Sequence, residues 1–211
     1  MSSFKFSVSS FQFQVFSFKF SVSSFKFLLM VMILFSCQQN YTPKPHAYYR
    51  IEFPEREYRM YDSMPRPFTF EYPVYGTLVH VIRPASDSCW LNISFPKYRG
   101  TIHLTYIKID NNFDQLIEEN WKILFKGIAQ KADAVEYDFI ANPETNIYGT
   151  VYDIRGNAAS SVQFYVTDSV RNFLRGSLYF SAKPNYDSLA PVVNFFRKDI
   201  IHLIETVKWK E

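Results

Sequence analysis

Two thiols, four imidazoles and a scatter of carboxylates are the reactive groups of this chain. Cys37 stands directly behind an apolar run, Phe27-Leu-Leu-Met-Val-Met-Ile-Leu-Phe35, with only Ser36 between. A small residue before a cysteine opens the preceding peptide bond to a peptidase and leaves the thiol free to take an acyl glyceride. Cys89 sits beside Trp90 at the head of another apolar stretch, where a cysteine behaves as a small buried hydrophobe. The imidazoles are His46, His80, His103 and His202. His80 and His103 fall in expected strands with Cys89 between them, and imidazole and thiolate suit zinc. Three residues at such wide spacing do not make a metal motif, so no metal site is assigned. Asp110, Asp114, Asp153 and the pair Glu118-Glu119 show no spacing that selects one of them for acid–base work. HExxH, GxSxG, CxxC and a Gly-rich phosphate loop are all missing from the sequence, and six glycines leave little material for a nucleotide cradle. No catalytic residue, cofactor or metal is therefore assigned, and the chain is expected not to be an enzyme.

The region around Cys37 is the part with a specific chemical meaning. Nine apolar residues are too few to span a bilayer, which takes about 20. With Lys26 ahead of them they fit the apolar core of an export signal. Leu34-Phe35-Ser36-Cys37 resembles the bacterial lipobox, with leucine three before the cysteine and a small residue next to it. Phe35 is larger than that pattern prefers. The expectation is cleavage before Cys37 and attachment of diacylglycerol to its thiol, which makes a membrane, through that lipid, the first partner. Upstream, residues 2–29 divide into sevens, SSFKFSV, SSFQFQV, FSFKFSV and SSFKFLL. Aromatics at alternate positions exclude a coiled-coil heptad; a tandem repeat or a misplaced start explains the segment better than a fold does.

Charge divides the chain at the same point. Residues 1–36 hold Lys5, Lys19 and Lys26 and no acid, so the remaining 20 basic residues face 20 acidic ones. The part from Cys37 onward is formally neutral, which argues against a nucleic-acid partner. It is long enough for one packed domain. If Cys37 is acylated, Cys89 has no disulfide partner.

The expected organisation is a leader (1–36), an anchored tether and extended segment (37–67), and one globular domain (68–211). Pro43, Pro45, Pro54, Pro65 and Pro67 mark the middle stretch as extended. Its aromatics (Tyr41, Tyr48, Tyr49, Phe53, Tyr58, Tyr61) and Arg50, Arg56 and Arg59 suit either a protein interface or a staple onto the chain's own domain. Strands are expected at Phe68–Tyr75, Leu78–Arg83, Trp90–Phe95 and Thr101–Ile109, then at Val135–Ile140, Tyr148–Arg155, Ser161–Asp168 and Asn172–Ala182. Between the two blocks Phe113, Ile117, Trp121, Leu124 and Ile128 form a helical stripe, with Asn111 or Asn112 as cap. A last helix carries Leu189, Val192, Val193, Phe196, Ile200, Leu203, Ile204 and Val207 on one face. Arg197, Lys198, Asp199, Glu205 and His202 fall off that face, Asp187 or Ser188 is the expected cap, and Pro191 is expected in the first turn. The order ββββ-α-ββββ-α predicts an α+β fold with a mainly antiparallel sheet and two flanking helices, resembling the sandwich of the photosystem-II PsbP and Mog1 type.

Several phrases carry a resemblance. Tyr41-Thr-Pro-Lys-Pro45, Tyr49-Arg-Ile-Glu-Phe-Pro54, Phe70-Glu-Tyr-Pro73, Cys89-Trp-Leu-Asn-Ile-Ser-Phe-Pro-Lys-Tyr98, Gly100-Thr-Ile-His-Leu-Thr-Tyr106 and Lys131-Ala-Asp-Ala134 together resemble the gliding motility lipoprotein GldD family. The resemblance implies a component needed for gliding in Bacteroidetes-type bacteria, working beside type IX secretion and other gliding and envelope lipoproteins. It implies no catalytic residue; only Cys37 transfers, as the lipid site. Gln38-Gln-Asn-Tyr41 lacks the acidic run associated with surface export, so the domain is expected to face the periplasm, on the outer membrane's inner leaflet in preference to the inner membrane. Asp62-Ser63-Met64 resembles the short O-glycosylation signal of that phylum, which makes Ser63 the candidate acceptor; a turn explains Asp168-Ser169-Val170 and a helix cap explains Asp187-Ser188-Leu189. The competing readings are an envelope hydrolase and a small-ligand binding lipoprotein. Cys37→Ala is expected to abolish incorporation of radiolabelled fatty acid and to leave an unprocessed precursor, both read on one gel.

Overall fold

The computed structural model describes residues 50–63, 66–81, 89–183 and 185–210. The leader, Cys37, and Tyr41, His46, Tyr48 and Tyr49 lie outside the described residues. Alternation of apolar and polar side chains in the β-rich stretches gives each strand one face to bury. Cys89–Phe95 alternates buried and half-buried residues along its whole length. Among the described residues ten strands form: β1 (Tyr58–Tyr61), β2 (Phe68–Pro73), β3 (Thr77–Val81), β4 (Cys89–Phe95), β5 (Gly100–Lys108), β6 (Ala132–Asn142), β7 (Ile147–Gly156), β8 (Ser160–Thr167), β9 (Asn172–Phe180) and β10 (Lys208–Trp209). Helix α1 (Phe113–Lys122) lies between β5 and β6, and α2 (Tyr186–Glu205) between β9 and β10.

Seven strands make one antiparallel sheet in the order β3-β4-β5-β9-β8-β7-β6, and β1-β2-β10 make a second, small one. The fold is the expected α+β arrangement. All eight expected strands form, with ends shifted by a few residues. β1 and β10 were not anticipated. β1 pairs with β2 from Tyr58↔Pro73 to Tyr61↔Phe70, so part of the stretch read as preceding the domain is a strand.

The main core fills one face of the large sheet. Leu91, Ile93, Phe95, Ile102, Leu104, Val162, Phe164 and Leu178 pack there against Phe68 and Phe70 of β2 and Phe196, Ile200 and Leu203 of α2. The other face carries α1. Leu116 packs with Ile109 and Phe173, and Leu124 and Ile128 pack with Ile154 and Ala158.

Both helices depart from expectation in an instructive way. After Lys122 the first continues as a π-helix over Ile123–Ile128 and a 3-10 turn over Ala129–Lys131. The buried line is Leu116, Asn120, Leu124 and Ile128, whereas Trp121, placed on the expected stripe, is 50% exposed. On an ideal α-helix, four-residue steps drift by about 40° each; the wider π turn counters that drift and holds the line against the sheet. Asn112 does not cap the α1 backbone and instead accepts the Asp110 N–H at 2.9 Å. Helix α2 begins earlier than expected, because Asn185 is the cap and accepts from the Ser188 N–H. Pro191 consequently lies within the helix and leaves one carbonyl of the turn before it without a donor.

Gly149 marks the tightest strand crossing. A Cβ there would run into the Tyr165 carbonyl oxygen, backbone that cannot swing aside, whereas a Cβ on Gly127 in the π-helix meets nothing within 4 Å. Gly149→Ala is expected to cost about 2 kcal/mol or more in urea unfolding, and Gly127→Ala to stabilise by about 0.5–1 kcal/mol.

Candidate functional site

The polar cluster with the most elaborate geometry lies where the chain enters the domain. Asp199 sits on α2 among Phe195, Phe196, Ile200 and Leu203 and is 1% exposed. Helical position alone put it on the polar side. It is buried because residues 51–61 lie over that side of α2. The Tyr58 hydroxyl donates to Asp199 Oδ1 at 2.9 Å, Arg56 Nε donates to the same oxygen at 3.3 Å, and the Tyr75 hydroxyl donates to Oδ2 at 2.5 Å. Apolar contacts hold the same elements together. The Phe53 ring stacks on Phe195 at 4.3 Å, and the Arg56 guanidinium lies 4.5 Å from the Phe195 centroid. One turn further along, Tyr58 stacks on His202, whose Nε2 lies 2.7 Å from Glu71 Oε2 of β2. His202, off the apolar face of the helix, is half-buried in this stack because β1 and β2 cover it.

Burial raises the Asp199 pKa, and the donors from Tyr75, Tyr58 and Arg56 pull it back in part. Burial next, with the bond to Asp199, pushes the Tyr58 phenol up to about 12 and the Tyr75 phenol higher still. Both tyrosines are therefore neutral donors at any ordinary pH. The carboxylate oxygens are taken by three donors of the chain itself, so the cluster offers no free base to a substrate. What it can do is fasten the strand that follows the tether onto the last helix.

A second charged cluster joins α2 to the far edge of the sheet. Arg197 Nε donates to both oxygens of Asp153 at 2.8 Å, and Arg197 Nη2 reaches Asp138 at 2.7 Å. Arg155 pairs with Glu136 beside them. These groups line a hollow of roughly 250 Å³ with Tyr186 and Asn194. Hydrogen bonds from Arg197 to Asp153 hold the guanidinium firmly charged. Asp153, one of the carboxylates considered for hydrolysis, is thus an ion-pair partner.

The remaining sequence candidates fall as follows. His103 is on the outer face, its Nδ1 donating to Asn92 Oδ1 at 2.8 Å, while Cys89 is buried on the core face opposite Tyr106. The strand pleat separates the two, and burial raises the Cys89 pKa, as for an inert core thiol. Ser63 is half-buried; its carbonyl accepts the Arg66 N–H, and the neighbouring Asp62 pairs with Lys210. Asp168 accepts the N–H groups of Val170, Arg171 and Asn172, the turn expected there. Sequence reasoning missed Asp199 and Tyr75; the one signal was an acid embedded between aromatic and aliphatic residues of a strongly apolar helix.

Folding raises the Asp199 pKa, so the folded chain holds that proton more tightly than the unfolded one. Its contribution is complete below the ordinary value of 3.8 and is lost as pH climbs through the raised value. Asp199→Asn is expected to flatten that fall in urea midpoint across the acid range. Asp199→Ala strands two hydroxyls and a guanidinium and is expected to cost about 2–4 kcal/mol, with faster tryptic cleavage after Arg56 and Arg59.

Comparison with known proteins places the chain. No curated protein matches the sequence. Among solved structures, the chain is similar to the solution structure of cyanobacterial PsbP (CyanoP) from Synechocystis sp. PCC 6803, at 9% identity and a TM-score of 0.45, over 76% of this chain and 97% of that one. The family described as gliding motility lipoprotein GldD matches residues 38–209, a span that takes in both sheets and both helices. The chain belongs to the gliding motility lipoprotein GldD family.

Proposed function

We propose that this chain is a non-enzymatic assembly or stabilising component of the gliding apparatus and its associated type IX secretion machinery, held to a membrane by lipid on Cys37 and facing the periplasm. The observation that carries this reading is the fastening of residues 51–61 onto α2 through Asp199, Phe195 and His202. A pull on the tether is borne by the core and not by a loose terminus. Confinement by lipid raises the local concentration of the domain at one membrane, so a modest interface is enough.

The outer face of β6 supports a protein partner. Tyr137 and Phe139 are 58% and 78% exposed and touch edge to face at 5.3 Å, and Trp121 of α1 is 50% exposed. β6 is also an edge strand of the seven-stranded sheet. Aromatic side chains on an open edge are surface that an envelope protein would cover.

A deletion strain is expected to lose colony spreading and to regain it with the wild-type chain. Tyr137→Ser with Phe139→Ser is expected to accumulate normally yet restore little spreading, and to recover about tenfold less crosslinked partner from membranes. A deletion strain that glides and secretes normally would end this reading.

A further inference from the structure

The chain enters the described structure at Arg50, and what surrounds that entry is charged unlike the rest of the molecule. Arg50, Ile51, Glu52, Lys97, Tyr98, Arg99 and Val192 of α2 line an open groove of about 520 Å³. Three cations thus face one carboxylate, on a chain whose part from Cys37 onward is neutral. The groove is a built feature. The Tyr98 hydroxyl donates to the Glu52 carbonyl at 3.0 Å and pins the entering chain to the turn after β4. Arg99 holds a left-handed backbone (φ 52°), and its carbonyl accepts the Ser181 N–H at 2.8 Å, which fixes that turn to the end of β9.

Twelve residues lie between Cys37 and Arg50, which makes thirteen Cα-to-Cα steps. Fully extended they span at most about 45 Å, and as a coil about 20 Å. Of the described surface, this groove lies nearest in sequence to Cys37. Guanidinium and ammonium groups around a small open hollow suit the phosphate of a phospholipid headgroup. We propose that Arg50, Lys97 and Arg99 form a headgroup-binding face that seats the domain on the anionic surface of its own membrane. The inference rests on lipid attachment at Cys37.

The test uses the full lipidated chain reconstituted into vesicles of phosphatidylethanolamine with phosphatidylglycerol, or of phosphatidylcholine alone. Amine acetylation is followed residue by residue. Lys97 is expected to react at least fivefold more slowly on the anionic vesicles, with protection lost in about 0.5 M salt. Lys122 and Lys126, on the helix that covers the other face of the sheet, are expected to react equally on both. Arg50→Glu with Arg99→Glu is expected to float with the vesicles and to lose the protection of Lys97. A chain that floats but shows equal Lys97 reactivity on the two vesicles overturns the headgroup face alone. A chain that floats with neither vesicle overturns the anchoring itself, and this proposal with it.

Discussion

A carboxylate withdrawn from water costs several kcal/mol unless donors replace its hydration. At Asp199 the donors come from three places far off in sequence: Arg56 ahead of β1, Tyr58 within it, and Tyr75 in the turn between β2 and β3. Each must be in place for the carboxylate to be tolerated there. The entering chain, the turn after β2 and α2 therefore converge on a single group. Apolar stacking of Phe53 on Phe195 and of Tyr58 on His202 supplies area, but area is tolerant of sliding, whereas directed bonds to one oxygen pair are not. The raised pKa shows that the replacement of hydration is incomplete. The cluster gives up some stability and in return specifies one docking of the N-terminal segment.

The far edge of the large sheet follows a related logic. β6 is eleven residues long and unpaired on one side, a shape that invites uncontrolled strand addition. Its core-facing positions carry Glu136 and Asp138, whose charges are met by Arg155 and Arg197 within the chain. An incoming strand would have to bury these pairs, which discourages self-association along the edge. The opposite face of the same strand is aromatic at Tyr137 and Phe139. One strand thus combines a guarded backbone edge with an open side-chain surface.

Much of this was legible in the sequence, and the reasons differ from element to element. The eight long strands and both helices announce themselves through alternation or a 3.6-residue stripe, because each has a face to bury. β1 did not, since Tyr58-Arg-Met-Tyr61 is short and only its last residue is fully buried. β10 is two residues long and exists only because α2 delivers it to β2. The π turn after Lys122 leaves no local mark, as its cause is the line of contacts on the sheet. Asp199 and His202 fall off the apolar stripe, which reports polarity and not burial, and the cover over them comes from residues some 140 positions away. Cys37 is the reverse case: the expectation there rests on wholly local features, a thiol behind an apolar run and a small residue.

The fastening at Asp199 also bears on how one small domain can serve a membrane and a protein together. The entry groove lies at the β4–β5 turn, and β6 is four strands from β5 in the sheet. Neighbouring strands are about 4.8 Å apart, which puts β6 roughly 19 Å across the sheet from β5. Were the N-terminal segment free to lift off α2, the tether would effectively begin near β2, and the domain could present any side to the bilayer. Held down, it keeps Arg50 at the entry groove, with the aromatic surface of β6 across the sheet from it. A buried carboxylate that is wasteful as a stabilising device is well suited to fixing that docking, because loosening it requires three separate donors to let go.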